Sequence, residues 1–144
     1  MSVISRGDLA AGFEGRSASV RNDFDALSHI LRRPRRMDQR VERVIVLIRK
    51  NYNRKLTLAE MAETANLSRF RFSHLFKVQT GTSPERFLTR VRLEKAKHLL
   101  ETEFLTVKEV MMQVGFSDAS YFTRRFKEVT GVTPGKLRRG TKKQ

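Results

Sequence analysis

The 144-residue sequence contains no cysteine. That excludes a disulfide framework, a thiolate metal site and a cysteine nucleophile, and it suits a reducing compartment. Long hydrophobic runs are missing as well. The longest purely aliphatic stretch, Val44-Ile45-Val46-Leu47-Ile48, is far shorter than the roughly 20 residues that cross a bilayer. The opening MSVISRGDLAAGFEG lacks the apolar centre of a signal peptide, so the expected location is the cytoplasm. Negative charge is scarce: 15 Asp and Glu stand against 30 Lys and Arg, a net charge of +15. Such a chain repels itself when free and calls for an anionic partner. Nucleic acid, an anionic membrane surface and an acidic protein all qualify. His29, His74 and His98 have no metal-ligand spacing, and neither a metal nor a cofactor is expected.

What is present suffices for a core. Hydrophobic residues make up 39%, enough for one domain or two small lobes sharing an interior. No segment alternates with the period of a strand, so the fold class is all-α. Residues 1–36 form an N-terminal extension and basic linker, with Gly7, Gly12 and Gly15 in its first part. Phe24, Leu27, Ile30 and Leu31 then recur at helical spacing, and Arg32-Arg33-Pro34-Arg35-Arg36 follows. That basic run is either a solvated linker or an arm touching phosphates. From Asp38, a candidate N-cap, Val41, Val44, Ile45, Ile48 and Tyr52 trace one apolar helical stripe.

The strongest feature is an internal repeat. Leu56-Thr57, Glu60 and Leu67-Ser68 match Leu105-Thr106, Glu109 and Phe116-Ser117 at an offset of 49. Phe72, Phe76-Lys77, Thr80-Gly81 and Pro84 match Phe122, Phe126-Lys127, Thr130-Gly131 and Pro134 at an offset of 50. The chain holds one unit twice, with a single-residue insertion beside a turn. Each copy reads as helix, tight turn, helix. Thr57 caps the first helix with Glu60 at the capping-box position, and Leu58, Met61, Ala62 and Ala65 form its apolar face. Asn66 and Gly115 supply the left-handed backbone of the turns. Ser68 and Ser117 are the expected caps of the second helices, which Gly81 and Gly131 stop. Pro84 opens a connecting helix over about 84–101, with Phe87, Leu88, Val91, Leu93, Ala96, Leu99 and Leu100 as its buried positions. A helix of that length spans roughly 25 Å, which can hold two helix-turn-helix units on one side of a duplex whose major-groove faces recur about 34 Å apart.

A helix-turn-helix delivers its second helix to the major groove. In the first copy (about 57–79) the outward positions are Arg69, Phe70, Arg71, Ser73 and His74. Phe70 is either an apolar contact to DNA or a ring packed on the neighbouring lobe. His74 is either a base-edge donor or an ordinary surface histidine. In the second copy (about 106–129) the face carries Ala119, Ser120, Thr123, Arg124 and, further round, Arg125. Arg124 aligns with His74 and suits either a guanine edge or a phosphate. Lys77, Arg125 and Lys127 fit backbone positioning. Arg90, Arg92, Lys95 and Lys97 are read as a solvated face of the connecting helix.

These segments resemble the AraC/XylS family of bacterial transcription regulators. VGFSDASYFTRRFKEVTGVTP resembles the family signature, LAEMAETANLSRFRFSHLFKVQTGTSP its first copy, and RVRLEKAKHLL its connecting helix. The resemblance covers about 38–139 and implies a domain at 37–144 with about seven helices in two lobes. It further implies double-stranded DNA as partner, recognition helices in adjacent major grooves, and activation through RNA polymerase. The implied base-reading positions are Phe70, Ser73, His74, Ala119, Ser120, Thr123 and Arg124; Arg69, Arg71, Lys77, Arg125 and Lys127 would hold the DNA backbone. Three residues depart from the family pattern. Met111 stands where a small residue is usual and would widen the second lobe or fill a gap, and Leu137 replaces an aromatic. Ala119 offers only a methyl group, so the second helix would read fewer bases. With only 36 residues before the match, the expectation is a monomer of the stand-alone type. The Phe24/Leu27/Ile30/Leu31 stripe would dock on the domain, stay disordered, or contact a partner or a second copy, as a weak dimer through 22–31.

The alternative is a sequence-tolerant architectural nucleic-acid binder, which the charge alone would suit. Paired capped turns are costly detail for a protein that needs only phosphates. An enzyme is not expected, because no nucleophile, metal cluster or phosphate loop is visible. A membrane-surface helix around 38–55 is less apt than a core helix, and no membrane partner is expected.

Overall fold

The computed structural model describes residues 36–142. The Phe24/Leu27/Ile30/Leu31 stripe, the dimer contact expected over 22–31 and most of the arginine run around Pro34 lie outside them. Among the described residues there are seven helices and no strand, which bears out the all-α reading.

Helix α1 (Gln39–Asn51) begins directly after Asp38 and buries Val41, Val44 and Ile48. Ile45 and Tyr52, also on the expected stripe, are partly buried. Helix α2 (Leu58–Thr64) is capped by Thr57, whose Oγ1 accepts the Glu60 amide at 3.1 Å. The reciprocal half of the capping box is absent there. The Glu60 carboxylate instead accepts two bonds from Arg54, at 2.5 and 3.2 Å, and that hydrogen-bonded guanidinium holds it below the ordinary glutamate value. The full box forms in the second copy, at helix α5 (Val107–Gln113). Thr106 Oγ1 accepts the Glu109 amide at 3.1 Å, and the Thr106 amide donates to Glu109 at 2.7 Å. That backbone donor, with the Thr106 side chain, lowers the Glu109 pKa in turn.

Both turns use left-handed backbone as expected, at Asn66 (φ 57°) and Gly115 (φ 98°). Helix α3 (Arg69–Thr80) is capped by Ser68, which accepts the Arg71 amide at 3.2 Å. The cap of helix α6 (Ala119–Thr130) corrects the sequence reading. It is Asp118, not Ser117, that accepts the Tyr121 amide, at 2.9 Å. The inserted residue falls between Phe116 and the cap, so the role passes one position along the chain. Gly81 and Gly131 then end the two helices in the left-handed region, at φ 84° and 87°.

Helix α4 (Pro84–Thr102) follows, with Ser83 as cap and Pro84 in its first turn. Its 19 residues extend about 28 Å. Helix α7 (Pro134–Lys142) repeats the opening of α4. Thr80 and Thr130 each donate to the carbonyl four residues back and accept an amide two residues on. Ser83 and Thr133 each accept the amide three residues on. The repeat therefore reaches past the helix-turn-helix into the next helix.

Two separate apolar cores result. The first gathers Val41, Val44, Ile48, Met61, Ala62, Phe72, Phe76, Leu88 and Val91. The second gathers Leu93, Ala96, Leu100, Val110, Met111, Phe116, Phe122 and Phe126. Val91 and Leu93 sit about 200° apart around the helix, so α4 closes one lobe with its first half and opens the other with its second. Leu93, Ala96 and Leu100 repeat the spacing of Val41, Val44 and Ile48. Met111 belongs to the second core. It is buried, and Ala96 stands in the same core where the first lobe has Val44, so volume is exchanged between neighbouring positions. Leu137 packs partly buried against that core.

Candidate nucleic-acid interface

At about 100° per residue, the buried pairs Phe72/Phe76 and Phe122/Phe126 orient α3 and α6 and thereby select which side chains point away. On α3 the outward line is Phe70, His74 and Lys77, all exposed, with Arg71 exposed and Ser73 half-buried on its flanks. Arg69 is exposed in the first turn. Phe70 is 82% exposed, so it does not pack on the neighbouring lobe. Phe70, Arg71 and His74 share a shallow hollow with Leu67, Leu75, Val78 and Arg40 of α1. The sequence reading had not connected Arg40 or Val78 to this face.

On α6 the outward line is Ser120, Arg124 and Lys127, with Thr123 beside it and Ala119 in the first turn, all exposed. The Arg124 guanidinium lies 5.6 Å from the centre of the Tyr121 ring, a cation–π placement that orders it before any partner arrives. Tyr121 was not among the expected residues. Its signal in the sequence was an aromatic outside the buried i, i+4 pair. Arg125 is half-buried and pairs with Glu128 at 2.5 Å. Such a surface pair is weak, yet it sets a carboxylate beside the candidate face. The two faces therefore differ: α3 carries Arg69, Arg71, His74 and Lys77, while α6 carries Arg124 and Lys127 beside Asp118 and Glu128.

One cation read as solvated is not. Arg92 of α4 is half-buried and donates through Nε to the Tyr52 carbonyl at 2.7 Å and through Nη2 to the Arg54 carbonyl at 2.9 Å. Among the described residues, no helix is long and apolar enough to cross a membrane, and no group of three or more His, Cys, Asp or Glu is placed to hold a metal ion.

The family described as a helix-turn-helix domain matches residues 61–140, more than half the chain. The arabinose operon regulatory protein of Escherichia coli is 35% identical over 118 residues, 81% of this chain and 40% of that protein. The chain belongs to the AraC/XylS family of transcription regulators. That family is one of DNA-binding regulators rather than enzymes. Two solved domains share its shape. The C-terminal domain of AraT, a response regulator from Geobacillus stearothermophilus, is 34% identical with a TM-score of 0.68, covering 74% of this chain and 88% of that one. The DNA-binding domain of AdpA, a global transcriptional factor solved in complex with a target DNA, is 25% identical with a TM-score of 0.68, covering 72% and 93%. The chain spans about a third of the length of the curated relatives it matches, 33% and 36% for the raffinose and msm operon regulators.

Proposed function

We propose that this AraC-type chain is a sequence-specific double-stranded DNA-binding regulator that acts as a monomer in the cytoplasm and activates transcription through RNA polymerase. The observation that carries the reading is the pair of exposed helix faces, one per lobe, borne by lobes that share a single continuous helix. Helices α3 and α6 enter adjacent major grooves. Phe70, Ser73, His74, Ala119, Ser120, Thr123 and Arg124 meet base edges, and Arg69, Arg71, Lys77, Arg125 and Lys127 hold phosphates. The DNA complex of the AdpA domain supports the choice of partner. The domain at 37–144 carries this activity, with 1–36 as an appended extension.

Binding-site selection from random duplex DNA tests the proposal. The expected result is an enriched asymmetric site of about two helical turns, bound one protein per duplex. No enrichment, with affinity falling steeply in salt for every sequence alike, would establish the architectural binder instead.

Two neighbouring charges on α6 are expected to act in opposite directions. Lys127→Ala weakens binding evenly across sequences and flattens the salt slope by about one unit. Glu128→Gln frees Arg125 and removes a carboxylate near the phosphates, so it strengthens binding, again evenly. Titrations at several salt concentrations on a selected and a scrambled duplex check both. A changed base preference for Lys127→Ala would contradict its backbone role.

A further inference from the structure

Arg92 lies where the two lobes meet, and its contacts reach both of them. It projects from α4 at the point where that helix passes from the first core to the second. Its two hydrogen bonds go to the Tyr52 and Arg54 carbonyls, just beyond the end of α1 in the first lobe. Its guanidinium also lies 5.9 Å from the centre of the Phe116 ring, in the turn of the second lobe. Gly115 beside that ring leaves the room for this: a Cβ there would stand 3.0 Å from the Tyr52 carbonyl oxygen and 3.1 Å from Arg92 Nε. Tyr52 itself packs against both cores and carries Lys95 at 5.8 Å over its ring. From Phe116 the contacts continue outward, to Tyr121 at 6.0 Å between ring centres and from Tyr121 to Arg124 at 5.6 Å. Burial lowers the Arg92 pKa from its ordinary value, with Tyr121 acting the other way, and its two carbonyl partners offset the cost of that burial.

We infer that Arg92 is a positioning residue that fixes the angle between the two lobes, and so fixes the spacing between the two half-sites that the protein accepts. This rests on the proposed reading of α3 and α6 as DNA-recognition helices. Two linked binding units gain affinity only when both engage at once. A base pair added between the half-sites moves one of them by about 3.4 Å and about 35° around the duplex. A clasped pair of lobes cannot follow that change, whereas a loosened pair can.

The absence of native cysteine allows a test that does not depend on DNA. Val46→Cys and Met112→Cys, at exposed positions of the first and second lobes, carry spin labels, and pulsed dipolar spectroscopy reads the distance between them. With Arg92 in place one narrow distribution is expected. Arg92→Gln should broaden or shift it while both lobes keep their helical content. On a selected duplex, changing the half-site spacing by one base pair should cost the parent about tenfold in affinity, and Arg92→Gln less than about threefold. If Arg92→Gln fails to fold, Arg92→Lys serves in its place, keeping the charge but not the two-carbonyl grip, and the same two readouts apply.

An unchanged narrow distribution with unchanged spacing dependence in the variant that folds would overturn the inference. So would a lowered melting temperature alone, since that is all a merely structural role would give. If the parent shows no sequence or spacing preference, the DNA reading fails, and the label distances still decide the role of Arg92.

Discussion

Phe126→Ala is expected to lower the stability of the domain by about 3–5 kcal/mol. The side chain is fully buried in the second core, with its ring 5.7 Å from that of Phe122. Removing it takes away the transfer energy of the ring and leaves a cavity that rigid helices on several sides fill poorly. For a domain of this size each kcal/mol corresponds to roughly 4–8 °C in melting temperature, so a fall of well over 10 °C is expected. Urea denaturation followed by far-ultraviolet circular dichroism measures it. Phe70→Ala is the control: with the ring 82% exposed, stability should change by no more than about 0.5 kcal/mol while DNA affinity drops. A loss below about 1 kcal/mol for Phe126→Ala would mean that the second core is not packed as described.

Arg124→Ala is expected to cost about 1–3 kcal/mol of binding free energy on the selected site, roughly tenfold to more than a hundredfold in affinity, and to relax the preference at one base position. The argument is geometric. Arg124 faces away from the buried Phe122/Phe126 pair, midway along α6, and Tyr121 orders its guanidinium in advance. An ordered planar fork is the group best suited to the two acceptors of a guanine edge. Competition binding with every base substituted at each site position separates the outcomes. Relaxation at a single position supports base reading, whereas equal loss on all sequences would make Arg124 a phosphate contact. Ala119 and Ser120 offer little reach, so on this reading α6 would depend on Arg124 more than α3 on any one residue.

Much of this was legible in the sequence because it lies in local rules repeated twice. The apolar spacing, the Thr57 cap, the left-handed Asn66 and Gly115 and the stop at Gly81 and Gly131 each depend on a few neighbouring residues, and each stands as expected. The errors came where local signals compete. Ser117 and Asp118 are both good caps, and only the placement of the inserted residue chooses between them. Glu60 and Glu109 hold equivalent positions, yet Arg54 draws the first away from its backbone partner. Arg92 was misread because its partners are carbonyls about 40 residues back in the chain, and main-chain acceptors leave no trace in side-chain pattern. The Pro84/Pro134 match marked the start of α7 but not its extent, because its equivalent is only the first part of a longer continuous helix.

That continuity makes α4 a ruler. One core ends at Val91 and the other begins at Leu93, with no break in the helix between them. Adding or removing one residue there would turn one lobe by about 100° against the other and tear a core from its helix. A change of about seven residues, close to two full turns, would nearly restore both packings, and it would move the lobes apart by about 10.5 Å. Half-site spacing in proteins built this way should therefore change in jumps rather than by single base pairs, because the helix has to keep its gearing with two cores at once.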